Sequence, residues 1–344
     1  MDMWRFTVKA TILTLASVGA GTAFGQGANW TTPRTADGQP DVQGVWDFRT
    51  LTPLQRPTDR GDQALLSEEE AAELEARAAQ SAIDADRPSE IRTEPLPVGA
   101  PVGGYNNFWF DRGAGVVDDN RTSLIVSPET GRVPALQPGV EMVTLSLGED
   151  LPGSRPVRVR AAGIGTDHWE DRGLAERCLL GFNSGPPIVP AGYNQNFQIF
   201  QTSDHVVILH EMVHDARVVP LDGRPHLREN MRQWMGDSRG YWDGDTLVVE
   251  SRNFTDKTSS FSPSVTMAAG DGTTLNLTER FTRVADDTLL YEFSVNDLTT
   301  FTAPIVAQIP MKLGEPMFEY ACHEGNYGLP NILAGARLEE SGGS

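Results

Sequence analysis

The chain has two cysteines in 344 residues and only 28 basic residues against 47 acidic ones, a formal charge of -19 at pH 7. So little positive charge excludes the basic surface that nucleic acid or an anionic membrane needs in a partner. Beyond the N-terminus no stretch has the roughly 18 consecutive apolar residues of a membrane span, which argues against membrane insertion. Cys178 and Cys322 lie far apart, so there is no Cys-x-x-Cys redox pair. Nor is a P-loop, a dinucleotide-binding glycine run or a serine nucleophile elbow read here, and no cofactor is expected. Carboxylates are plentiful, but nothing singles out the pair a glycosidase requires.

What is present begins with Arg5 and Lys9, then an apolar run over 10–24 and small residues before Gln26. That order fits a cleavable export signal over 1–25, and it predicts a periplasmic or secreted protein. In an oxidising compartment the two cysteines read either as a disulfide tying mid-chain to chain end or as a reactive thiol or ligand.

With 34 Gly and 23 Pro, turns are frequent and long helices few. Residues 26–100 read as an irregular arm. It contains one short strand at Gly44-Val45-Trp46-Asp47-Phe48, pinned by a buried Trp, and one helix over 67–82. Ser67 and Glu70 form the capping box of that helix. Residues 101–344 read as a β domain, with one strand at 122–127 and then a regular series: 197–201, 205–212, 214–220, 240–242, 246–253, 275–283, 288–295, 306–312 and 317–321. Asp243-Gly244-Asp245 and Ala285-Asp286-Asp287 join successive members tightly. The fold class is mainly β, an antiparallel up-and-down barrel or strongly curved sheet. Gly-x-Trp at 44–46 and again at 240–242 resembles the opening strand of lipocalin-type barrels, which hold one small ligand.

His210-Glu211-Met212-Val213-His214 spells the zinc-protease motif His-Glu-x-x-His. The motif works on a helix, where residues four apart share a face. Its neighbours, Val206-Val207-Ile208-Leu209 and Arg217-Val218-Val219-Pro220, are strand formers. In a strand the two histidines stand roughly 13 Å apart, too far for one metal. No metal site is therefore assigned, and a zinc hydrolase stands as an alternative that requires residues 206–219 to be helical.

Three phrases resemble a family of exported bacterial β-rich proteins without an assigned activity. They are His214-Asp215-Ala216-Arg217 with Pro220-Leu221-Asp222-Gly223-Arg224-Pro225-His226, then the run from Gly236-Asp237-Ser238-Arg239-Gly240 to Glu250, and Glu319-Tyr320-Ala321-Cys322-His323-Glu324-Gly325-Asn326-Tyr327-Gly328. The resemblance implies compartment and β character, and carries over no catalytic residue.

If 205–220 is continuous strand, alternation puts Glu211, Asp215 and Arg217 on one face and His210, Met212 and His214 on the other. Asp215 and Arg217 then form either a buried pair fixing register or part of a polar cluster at the barrel mouth. His323 and Glu324, beside Cys322, make an acid/base candidate or a solvated turn. The catalytic candidates are thus His214, Asp215, Arg217, His323 and Glu324. For gripping a ligand, Tyr105, Asn107 and Trp109 join Tyr193 and Asn194 from two similar Gly-Tyr-Asn turns, with His226 and Trp242. Those turns read equally as places where Asn tolerates left-handed backbone. The function expected is binding of a small, partly apolar or aromatic molecule, with metal-free acid/base chemistry of an isomerase, lyase or hydrolase. A non-catalytic ligand-binding protein of the same fold is the alternative.

Overall fold

The computed structural model describes residues 30–85, 87, 110, 113–144, 150–322, 325 and 327–342. Its centre is a ten-stranded, antiparallel sheet nearly closed into a barrel. Nine strands run in the order β6 (Ala216–Pro220), β5 (His205–His210), β4 (Asn196–Gln201), β1 (Gly44–Asp47), β13 (Ile305–Leu313), β12 (Thr288–Asn296), β11 (Asn276–Ala285), β8 (Thr246–Arg252) and β7 (Asp237–Asp243). The tenth, β2 (Ile125–Ser127), pairs with β13 off this path. A separate three-stranded sheet joins β3 (Met142–Thr144), β10 (Met267–Ala269) and β9 (Phe261–Ser264). None of these last three short strands carries enough alternation to be read from sequence.

Alternation builds the barrel wall. On β12, Leu289, Tyr291, Phe293 and Val295 are fully buried, and on β13 so are Ile305, Ala307, Ile309 and Met311. Each such side chain contributes about 1.5–3 kcal/mol on leaving water. The β7–β8 hairpin turns on Gly244 and Asp245 between the paired Asp243 and Thr246, and Gly244 has the positive φ of 61° that a tight hairpin turn demands. β1, from the segment read as an arm, is a central strand, paired with β4 on one side and β13 on the other. Its Trp46 is fully buried and donates from Nε1 to the Val42 carbonyl at 3.0 Å.

The sheet's end strands β6 and β7 meet by packing. A Cβ on Gly240 would lie 2.8 Å from Val219 Cγ1 and 2.7 Å from Leu221 Cδ2, so the absence of a side chain there lets the two edges close together.

The described residues include two α-helices. α1 (Glu68–Ala85) starts at the expected capping box, with Glu70 N donating to Ser67 Oγ at 3.1 Å and Ser67 N to Glu70 Oε2 at 2.9 Å. α2 (Gly328–Glu340) is unanticipated, because Gly328, Pro330 and Gly335 all disfavour helix. The strand expected at 317–321 does not form; that segment has no regular secondary structure. Among the described residues no helix is long and apolar enough to cross a membrane. Cys178 and Cys322 form a disulfide, which resolves the two readings of the cysteines.

Candidate functional site

β5 ends at His210 and the chain turns back at once. His210 N donates to the Asp215 carbonyl at 2.9 Å, closing a hairpin whose loop is Glu211 to His214. The continuous strand expected through 212 is therefore broken, and the helix on which the zinc motif depends is not formed. The turn also resets the alternation. His210 and Arg217, assigned to opposite faces in the sequence reading, both point into the barrel, while His214 is exposed.

Val213 and His214 sit in the left-handed region, with φ of 64° and 47°. For a β-branched valine this is an outlier costing on the order of 1–3 kcal/mol, held only where surroundings dictate it. Here they do. Met212 and Val213 are buried against the Cys178–Cys322 disulfide, with Phe182, Tyr193 and Tyr320 around them. The same disulfide anchors the segment after β13, whose Tyr320 carbonyl lies 2.9 Å from His214 Nδ1. A carbonyl only accepts, so in the neutral ring Nδ1 carries the proton and Nε2 the lone pair.

His214 lies at one end of a cleft of about 620 Å³ on the outside of the barrel, a volume within the range of small-molecule sites. Val45, Gln198 and Leu209 form its floor, a row across β1, β4 and β5 set by the pairings Val45 to Gln198 and Gln198 to Leu209. Leu313, Met317 and Phe318 form the other wall, and Phe318 is 81 % exposed. Glu211 is buried beside His214. Its Oε2 accepts from Asn196 Nδ2 at 2.8 Å and its Oε1 from the Phe318 amide at 3.2 Å, so it fastens the outer wall to the hairpin. Among the described residues no lysine or arginine lines this cleft, whereas Glu211 and Glu319 do.

The barrel interior behind the hairpin holds a second polar group. Arg217 does not pair with Asp215, as expected from their spacing; it forms a two-pronged ion pair with Glu279 of β11, both buried. The reset alternation turns Arg217 inward, and Asp215 lies within electrostatic reach of Arg160 instead. Tyr291 donates to Glu279 Oε1 at 2.8 Å and accepts from the Ile188 amide at 3.0 Å. Burial, then the Glu279 charge, raises the Tyr291 hydroxyl well above its usual range. His210 packs its ring 5.9 Å from that of Phe197, and among the described residues neither ring nitrogen has a hydrogen-bond partner. Burial, then the charges of Arg217 and Arg160, pulls its pKa down to about 3, so it is neutral at physiological pH.

The remaining candidates lie elsewhere. Tyr193 packs edge-on to Phe110 and Phe182, next to the disulfide cluster. Asn194 has a φ of 50°, as the turn reading of Gly-Tyr-Asn expects. His226 Nδ1 lies 3.0 Å from Asp237 Oδ2, and the same carboxylate takes Arg239 and the Leu227 amide. Trp242 packs against the barrel core. Tyr105, Asn107, Trp109, His323 and Glu324 lie outside the described residues. The exclusion of a serine elbow needs correcting in its letters, since Gly236-Asp237-Ser238-Arg239-Gly240 does spell Gly-x-Ser-x-Gly. Ser238, however, is buried inside β7 with its Oγ 2.7 Å from Ser251 Oγ, not at a strand-to-helix turn. Glu211 is the site residue that sequence reasoning left out, although the His-Glu-x-x-His letters contain it.

The chain matches no protein-family model and no curated protein.

Proposed function

We propose that this is an exported barrel protein that takes a small, partly apolar molecule into the outer cleft, with His214 Nε2 as a metal-free general base of isomerase, lyase or hydrolase type. The observation that carries the reading is the His214 ring, aimed by the Tyr320 carbonyl from a strained backbone that a buried disulfide cluster maintains. The cleft's apolar walls and acidic end favour a neutral or cationic ligand over an anion. Export rests on the N-terminal sequence and agrees with a disulfide.

The test is depletion of compounds from a metabolite extract, followed by mass spectrometry, for the wild type and His214→Ala. Conversion should fall about 100-fold or more in the variant with its melting temperature unchanged. Equal conversion by both proteins would remove His214 from the chemistry. A non-catalytic binding role is the second reading. It is favoured by Glu211, whose two oxygens are already committed to Asn196 and Phe318, so this carboxylate is not free to act as the acid/base partner beside His214. That reading gives saturable binding without product.

A further inference from the structure

A separate recess of about 610 Å³ shares no residue with the cleft and is lined by two arginines, Arg56 and Arg121. Each is 7 % exposed. Arg121 donates from Nη1 to Gln308 Oε1 at 3.2 Å and keeps its Nε 3.4 Å from Asp119. Arg56 is held differently. It donates from Nε to Thr122 Oγ1 at 3.0 Å and from Nη2 to the Glu129 carbonyl at 3.3 Å, and no carboxylate of the described residues pairs with it.

A buried guanidinium is ordinarily matched by an acid, because neutral acceptors satisfy donors without offsetting the charge. Two of the five N–H groups of Arg56 are engaged, and Nη1 makes no hydrogen bond among the described residues. The recess wall adds apolar surface from Ala64, Val126 and Leu65, the last 57 % exposed. The lining also holds the half-buried Asp119, matched to Arg121, while Asp62 and Glu129 stand exposed at the rim, where a second negative charge on a ligand would be repelled.

We infer that this recess binds a monocarboxylate with an apolar tail. The carboxylate pairs with Arg56, in the forked geometry guanidinium favours, and the tail lies on Leu65 and Val126. The rim acids select one negative charge over two, so phosphate is a poor ligand.

Calorimetric titration of the full chain with 3-phenylpropionate, its amide and inorganic phosphate tests this. The carboxylate should saturate, with the amide and phosphate at least about tenfold weaker. Arg56→Gln should weaken the carboxylate by about tenfold or more. Thr130→Trp fills the recess from an exposed position, leaves both arginines in place and should block binding. The assignment is overturned if the carboxylate does not saturate, if the amide or phosphate binds as tightly, or if Thr130→Trp leaves the titration unchanged. None of these readouts involves His214, so the fate of the cleft does not bear on them.

Discussion

Arg217 and Glu279 clasp each other across the inside of the barrel, from strands β6 and β11 that are not neighbours in the sheet. Because β6 is an end strand, the pair ties the open edge to the opposite wall. Removing one member strands the other without a counter-charge. Arg217→Met should therefore lower unfolding free energy by about 3–5 kcal/mol in urea titration, while the double replacement Arg217→Met with Glu279→Leu recovers much of that. A single-variant loss under about 1 kcal/mol would show that the clasp is dispensable.

His210 fixes a pH dependence with a definite sign. Its folded pKa of about 3 lies below the ordinary value of 6.5, so below pH 6.5 the unfolded chain takes up a proton that the folded chain refuses. No penalty applies above pH 6.5. It grows by roughly 1.4 kcal/mol per pH unit as pH falls from there toward 3, reaching about 2 kcal/mol at pH 5. Comparing urea midpoints of wild type and His210→Phe between pH 8 and pH 4 reads this out, since the variant lacks that component of the slope.

Glu211 offers an experiment on the outer wall of the cleft. In Glu211→Gln one of the two carboxylate oxygens becomes an NH2 donor, so one of the Asn196 and Phe318 donors faces a donor, and the bond that remains loses its charge assistance. A hydrogen bond to a charged group is worth about 1.5–3 kcal/mol, so exchange of the Phe318 amide should accelerate about 10- to 100-fold. Unchanged exchange at Phe318 would mean that other contacts hold this wall.

The disulfide should matter both globally and locally. Replacing Cys178 and Cys322 together with Ala should cost about 2–5 kcal/mol in global stability. It should also raise hydrogen exchange around Val213 and His214, which pack on the bridge. Loss of global stability without local loosening would separate the bridge from the hairpin's geometry.

Much of the barrel was legible because its strands alternate over six to ten residues and end at turn chemistry, as Asp243-Gly244-Asp245 does. The helix start was legible because Ser67 and Glu70 lie three apart. The hairpin at 211–214 was not, since Met212 and Val213 continue a strand pattern while the chain bends through left-handed conformations that no local letter announces. With that turn missed, His210 and Arg217 were set on opposite faces, and Arg217, though read as buried, was paired with its neighbour Asp215 instead of Glu279. The outer cleft depends on where 314–319 lies against the sheet, a tertiary placement with no periodicity to reveal it.

The position of β1 sets the order in which the molecule can be assembled. A strand formed near the start of the chain is bordered by β4 and β13, so its second neighbour is synthesised last. Until Leu313 is available to Trp46, the wall has a gap through its middle, with one edge of β1 presenting bare backbone to the surroundings. Completion depends on contacts remote in sequence, which makes folding slow and leaves the nascent chain open for a long interval. The barrel of such a polypeptide cannot be sealed until nearly all of its strands have been made.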